Sequence, residues 1–281
     1  MHKNRAPRRI FNALAALALI FTAAAGAQSN FQPQIGQPGK DVIWVPTSDA
    51  LVQRMLRMAN VGPSDFVIDL GSGDGRIVVA AAKEFGAHAR GFEFNPEMVA
   101  LARSNATREG VADRAEFVQG DLFEADLSVA SVITMYLLPS INMKLRPKLL
   151  KLKPGTRIVS HDFDMADWKP DETSSTDNGT AYFWVVPADV DGAWQVEYEG
   201  AIAKEKIEVD FKQHFQMLEG RAVRGERLSP VEGAINGDGV RFGVMDSDKG
   251  QNVFVGKVNG ATMEGTVRLL DGTQHPFTAT R

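Results

Sequence analysis

The stretch VIDLGSGDGRIVV, Val67 to Val79, constrains the fold of this chain more than any other. A short apolar run ends in Gly71-Ser72-Gly73-Asp74-Gly75 and passes straight into apolar residues at helical spacing. That order is a buried strand, a glycine turn and a helix, the opening unit of an α/β sheet. Glycines at such a bend let the backbone turn sharply and approach a ligand closely. Glu93 follows Asp69 by 24 residues, at the end of the next apolar run. An acidic side chain placed there can hold both hydroxyls of a ribose. The two features together predict a nucleoside-bearing ligand.

Charge decides which nucleoside. A dinucleotide fingerprint, G-x-G-x-x-G counted from Gly71, needs glycine where Arg76 stands. Asp69 and Asp74 also flank the turn, and carboxylates there repel a pyrophosphate. S-adenosylmethionine carries an ammonium and a sulfonium beside its carboxylate, which suits an acidic turn whose backbone N–H groups can take the carboxylate. The expected cofactor is therefore S-adenosylmethionine, a nicotinamide dinucleotide being remote, with Asp69, Gly71, Ser72, Gly73, Asp74, Gly75 and Glu93 in its site.

Strands and helices alternate from about Val42 to Gly200, which predicts an α/β domain with a mainly parallel sheet. Thr47 or Ser48 caps a helix reaching about Ala59, and Asn95 with Pro96 opens another that ends at Gly110. Strands are expected at Phe66–Leu70, Ala89–Phe94, Ala115–Gln119, Ser131–Tyr136 and Thr156–Ser160, with a helix near Pro139–Leu150 between the last two. Asp171 to Thr180 reads as a polar loop. Ala181–Pro187 and Trp194–Tyr198 read as an antiparallel pair turning at Asp191-Gly192, and Trp184 and Trp194 as packing residues. From Ile202 the helical period disappears. Alternation at Ile207/Val209/Phe211 and Val240/Phe242/Val244, with turns at Asn236-Gly237, Asn259-Gly260 and Asp271-Gly272, predicts a small all-β meander, residues 201–281.

These residues carry a family resemblance. Val67 to Asp121 resembles the class I, seven-stranded, Rossmann-like methyltransferases: Asp69 to Gly75 their first motif, Gly91-Phe92-Glu93-Phe94-Asn95 the ribose-binding acidic motif, and Gln119-Gly120-Asp121-Leu122 the third. The resemblance implies that Phe94, Asp121 and Leu122 join the cofactor site, with Asp121 on the adenine amino group, and that the sheet finishes in an antiparallel hairpin. A closer similarity is to the lysine methyltransferases that modify the ATP-synthase c-ring protein and to their bacterial relatives. It lies in Val45-Pro46-Thr47, in LGSGDGRIVVAAAKEFGA, and in Gly155-Thr156-Arg157-Ile158-Val159 leading to Asp162-Phe163. It implies a protein side chain, such as lysine, as methyl acceptor.

The acceptor side is less legible. Tyr136, Leu137 and Leu138 follow the fourth strand at the carboxyl edge of the sheet, where ligands bind. Met135-Tyr136-Leu137-Leu138-Pro139 stands where enzymes that methylate adenine or glutamine amides carry Asn-Pro-Pro-Tyr, so those acceptors lose weight. A lysine amine must lose its proton, at a cost of ~4–5 kcal/mol at neutral pH. His161, Asp162 and Asp164, directly after the fifth strand, are candidates to help, with Tyr136. The specific expectation is that Asp162 or Asp164 lines the acceptor pocket; capping of loops is the plainer role for each. A small-molecule methyltransferase, and a module that holds S-adenosylmethionine without turnover, stay open as alternatives.

The ends and the composition add limits. Lys3, Arg5, Arg8 and Arg9 precede an uncharged run, Phe11 to Ala25, shorter than the ~20 residues that span a bilayer. Ala25-Gly26-Ala27 then predicts a signal peptide (1–27) cleaved after Ala27, an exported, periplasmic or secreted protein, and no stable membrane span afterwards. Arg8-Arg9-Ile10-Phe11 looks like a twin-arginine signal. Residues 28–41 are expected to be a flexible leader to the domain at 42–200. The chain holds 31 basic and 35 acidic side chains; four basic ones lie in the first 27 residues, leaving 27 against 35. A net negative protein has no general attraction for phosphate backbones, so nucleic acid is not the expected partner. Cysteine is absent, and the five histidines show no ligand spacing, so no metal site is expected.

Overall fold

Ser48 starts the first helix, its hydroxyl accepting from Leu51 N at 3.3 Å, and most apolar runs of the first half become elements near their expected bounds. The computed structural model describes residues 31–247 and 250–281, so the expected export segment lies outside the described residues. The order is α1 (Asp49–Met58), β1 (Phe66–Leu70), α2 (Arg76–Phe85), β2 (His88–Glu93), α3 (Pro96–Arg108), β3 (Ala115–Gln119), β4 (Val132–Met135), α4 (Pro139–Leu149) and β5 (Arg157–His161). Asn95 caps α3 by accepting from Glu97 N and Met98 N, with Pro96 at its first position. β6 (Glu172–Thr176) and β7 (Gly179–Val185) follow.

These strands form one seven-stranded sheet in the order β3-β2-β1-β4-β5-β7-β6. The first five pair in parallel, whereas β7 runs antiparallel to β5 and to β6. α1, α2 and α3 pack one face through Leu51, Met55, Val78 and Val99; α4, Trp168 and Trp184 cover the other. The order turns outward from β1 in both directions, so a crevice opens at the carboxyl ends of β1, β2 and β4, where ligands bind in such sheets. Among the described residues no helix is long and apolar enough to cross a membrane.

The antiparallel finish is present, but from different residues than expected. Glu172–Thr176, expected as loop, is an edge strand joined to β7 by the two-residue turn at Asp177-Asn178. Its ETSST sequence has no apolar alternation because it packs little against either face, and a polar edge strand resists pairing with other chains. Trp194–Tyr198, expected as the last strand of this sheet, belongs to the second unit as part of β8 (Gly192–Glu199). The junction between the units thus precedes Gly192 instead of following Gly200.

The second unit is the expected all-β meander, closed into a barrel. β9 (Lys204–His214), β10 (Met217–Arg224), β11 (Arg227–Asn236), β12 (Gly239–Ser247), β13 (Gly250–Asn259), β14 (Thr262–Arg268) and β15 (Gln274–Thr280) run up and down, and β8 closes the ring between β15 and β9. Closure pairs Tyr198 with Phe277, almost eighty residues apart, which no local pattern announces. Eight strands leave an interior just wide enough for side chains. Trp194, Phe211, Phe242, Phe254 and Phe277 fill it, Phe242 and Phe254 stacked at 4.7 Å. One end of the barrel rests on the α/β unit: Phe215 stacks on Trp168 at 5.8 Å under the Arg146 guanidinium, and Gln216 donates to the Lys169 carbonyl at 2.7 Å.

Candidate functional site

The glycine turn after β1 is shaped by what surrounds it. Gly75 has φ +83°, and a Cβ there would stand 2.6 Å from Phe117 and 2.8 Å from Ala102, so only glycine lets α2 start this close to β3 and α3. A Cβ on Gly73, at φ +53°, would meet the Trp44 indole nitrogen at 2.6 Å. Glu93, at the end of β2, holds the turn in place. Its carboxylate accepts from Gly73 N at 3.0 Å and from Asn95 N at 2.8 Å, while Gly71 N and Ser72 N donate to the Phe92 carbonyl. The expected ribose-binding acid is thus also the anchor of the cradle.

Asp69 and Asp74, paired in the sequence argument, have different fates. Asp69 is buried beneath the turn, and Thr134 Oγ1 donates to it at 2.7 Å. Burial pushes its carboxyl up to about 7, opposed by that hydrogen bond and helped by the charges of Asp74 and Glu93. Asp74 is instead neutralised by Arg76, whose Nε and Nη2 donate to its two oxygens at 3.0 and 2.6 Å. The repulsion of a pyrophosphate therefore rests on Asp69 and Glu93, and Asp74 is a brace. Arg76 Nη1 also donates to the Thr47 carbonyl at 2.7 Å, tying the turn to the segment ahead of α1.

That segment is the largest departure from expectation. Residues 34–44, of which 34–41 are expected as flexible leader, form a tight hairpin: Gly36 N donates to the Trp44 carbonyl and Trp44 N to the Gln37 carbonyl. Gln37 to Thr47 wall the cleft opposite Asp69, Glu93 and Asp121. Lys40 pairs with Asp121 at 2.5 Å and lies 5.0 Å over the Phe94 ring, and Asp121 also accepts from Phe123 N. The ion pair with Lys40 and the Phe123 hydrogen bond hold the Asp121 carboxyl below its ordinary range. Phe94, Asp121 and Leu122 all line the cleft. Lys40 was missed because a polar, proline-bearing leader carries no periodic signal, and Trp44 because a single aromatic ahead of the first helix carries none either.

On the far side of the cleft stand Tyr136, Leu137, Leu138 and Phe163. Tyr136 follows Met135, the partner of Leu70 in the sheet, so it stands beside the start of the glycine turn. Asp162 and Asp164, expected to line the acceptor pocket, are not among the residues that line this cleft. Asp162 has φ +59°; its carboxylate accepts from Thr180 N at 2.8 Å and its N–H donates to the Thr180 carbonyl, so it closes the β5–β7 edge. Asp164 accepts from Ala166 N at 3.1 Å and caps a turn. His161 sits behind the wall, its Nδ1 3.0 Å from Thr47 Oγ1 and its Nε2 3.3 Å from Asp162 Oδ2. Burial holds its imidazole below the ordinary pKa, against the pull of Asp162.

The comparisons with known proteins agree with this geometry. The ANTKMT methyltransferase domain matches residues 69–172. A protein-lysine N-methyltransferase of Saccharolobus islandicus is 46% identical over 151 residues, covering 52% of this chain and 94% of that protein. The mouse adenine nucleotide translocase lysine N-methyltransferase is 35% identical over 144 residues, covering 51% of this chain and 62% of that protein. A crystal structure described as an RNA methyltransferase from Salinibacter ruber, in complex with S-adenosyl-L-homocysteine, superposes with a TM-score of 0.51 at 54% identity, over 52% of this chain and 96% of that one.

Proposed function

As this chain belongs to the family of S-adenosylmethionine-dependent methyltransferases that carries the ANTKMT domain, we propose that it methylates the side-chain amine of a lysine in a protein. One observation carries the acceptor: the 46% identity runs through nearly the whole of an archaeal protein whose named acceptor is protein lysine. The cleft suits that reading. Its mouth is rimmed by exposed apolar side chains, Ile43, Val45, Phe94 and Leu138. The segment after β4, Tyr136-Leu137-Leu138, carries no amide to clamp a flat base.

The residues present fit the cofactor. Glu93 would hold the ribose hydroxyls, and Phe94, Asp121 and Leu122 the adenine. The turn from Gly71 to Gly73 would take the methionine end, with Asp69 beneath its positive charge. S-adenosylmethionine supplies a methyl on a sulfonium, which moves to the amine lone pair while the C–S electron pair stays on sulfur. The protein's part is to align the two partners and exclude water. Asp162 and Asp164 are held by backbone N–H groups beside the cleft wall, and the amine must lose its proton before transfer.

Protein and RNA are separated by one experiment. The chain is incubated with methyl-labelled S-adenosylmethionine and a cell-envelope extract, with Glu93→Ala as control. Label in a protein band, as methyl-lysine after hydrolysis and absent from the control, is the expected result; label in nucleic acid would overturn the lysine reading. Export belongs to the same reading, with Gln28 the expected first residue of protein recovered from outside the cytosol.

A further inference from the structure

Behind the acceptor end of the cleft, three segments distant in sequence close on one imidazole. His161 is 4% exposed and does not line the cleft, whereas Tyr136 and Phe163 do. With its proton on Nε2, His161 faces Asp162 on that side, and its Nδ1 accepts from the Thr47 hydroxyl. Its ring backs Tyr136 at 3.7 Å between centroids. Phe163 lies 22° from parallel to Tyr136, 6.1 Å away. Tyr136 is partly buried, yet its hydroxyl has no hydrogen-bond partner among the described residues. That hydroxyl is open to the cleft, where a ligand can meet it.

We propose that Tyr136 and Phe163 seat the alkyl-ammonium end of the acceptor, and that His161, pinned by Thr47, is the positioning residue that fixes Tyr136. This rests on the lysine reading above. Aromatic faces attract an alkyl-ammonium and pack against its methylene stem, and the phenol oxygen accepts from its N–H. Burial keeps the phenol protonated and the imidazole neutral, so the stack presents no cation of its own to repel the ligand. Thr47 serves both halves of the cleft. Its hydroxyl holds His161, and its carbonyl accepts from Arg76, which is braced on Asp74 in the cofactor turn. Setting the turn thereby sets the seat.

The test uses the full chain saturated with S-adenosylhomocysteine and n-butylammonium as the probe, with binding followed by calorimetric titration. Tyr136→Leu is expected to weaken the probe about tenfold, and Tyr136→Phe to stay within about threefold of wild type, with S-adenosylhomocysteine affinity unchanged in both. If Tyr136→Leu fails to fold, Phe163→Leu carries the same comparison. For the positioning role, Thr47→Val should raise the acceptor KM about fivefold with kcat little changed, and Thr47→Ser should restore it. Wild-type protein that ignores the probe, or Tyr136→Leu that binds it as wild type does, overturns the seat. Thr47→Val matching Thr47→Ser overturns the role of His161. Label moving to RNA in the transfer experiment would instead remove the lysine reading and leave these binding results standing.

Discussion

Thr134 Oγ1 donates a 2.7 Å hydrogen bond to Asp69 from the directly paired position on the neighbouring strand, beneath the glycine turn. The bond favours the ionised carboxylate, yet burial outweighs it and holds the group near 7. A carboxyl whose folded pKa lies above its unfolded value contributes stability fully below about 4 and loses it as pH rises toward about 7. The wild-type protein without cofactor should therefore lose stability relative to Asp69→Asn across that window, by at most ~4 kcal/mol. Denaturant melts of both proteins at several pH values check it.

The same group gives cofactor binding the opposite slope. A cationic ligand prefers the ionised form, so S-adenosylmethionine affinity should fall by up to about tenfold per pH unit below 7 and level off above it. Asp69→Asn should bind more weakly at pH 8 and show no such slope. Calorimetric titration at pH 6, 7 and 8, values of about one unit spacing around the group's pKa, distinguishes the two.

Glu93 combines two tasks, so its substitutions should separate them. Glu93→Ala removes a charged acceptor from the ribose position and frees Gly73 N and Asn95 N, and about 100-fold weaker cofactor binding is expected with a lowered melting temperature. Glu93→Gln keeps an oxygen for one of those bonds and should fall between. Equal cofactor affinity in all three proteins would contradict the placement of the ribose.

Arg76 and Asp74 should behave as one unit. Arg76→Ala leaves a mostly buried carboxylate unpaired and should cost ~1–3 kcal/mol of stability. Adding Asp74→Asn should recover part of that loss, because the double variant no longer strands a charge. A double-mutant cycle measures the coupling, and simple additivity would refute it.

The barrel should report on itself. Phe254 is fully buried among Phe242, Tyr198 and Phe277, far in the chain from every residue of the cleft. Phe254→Ala should cost ~3–5 kcal/mol in unfolding. S-adenosylhomocysteine affinity measured under native conditions should not change.

What this sequence determines by itself is local. The run from Val67 to Val79, the caps at Ser48 and Asn95, and the glycine turns of the barrel hairpins specify elements, because strand period, helix period and positive φ are properties of neighbouring residues. The identity of the cofactor is legible for the same reason: Asp69, Glu93 and Asp121 stand near or just past the carboxyl ends of three neighbouring parallel strands, and that topology brings strand ends together. Only the tertiary structure decided the rest. Lys40 meets Asp121 across 81 residues and Thr47 meets His161 across 114, and pairings at that range leave no periodic trace. Asp162 and Asp164 are candidates for the acceptor pocket or for loop caps in the sequence; in the fold their carboxylates accept from Thr180 N and Ala166 N, since a carboxylate satisfies nearby backbone N–H groups wherever the chain bends. Trp194 alternates as a strand residue in either unit. Closure of the barrel through the pairing of β8 with β15 chose which, and that pairing depends on both ends of the domain at once.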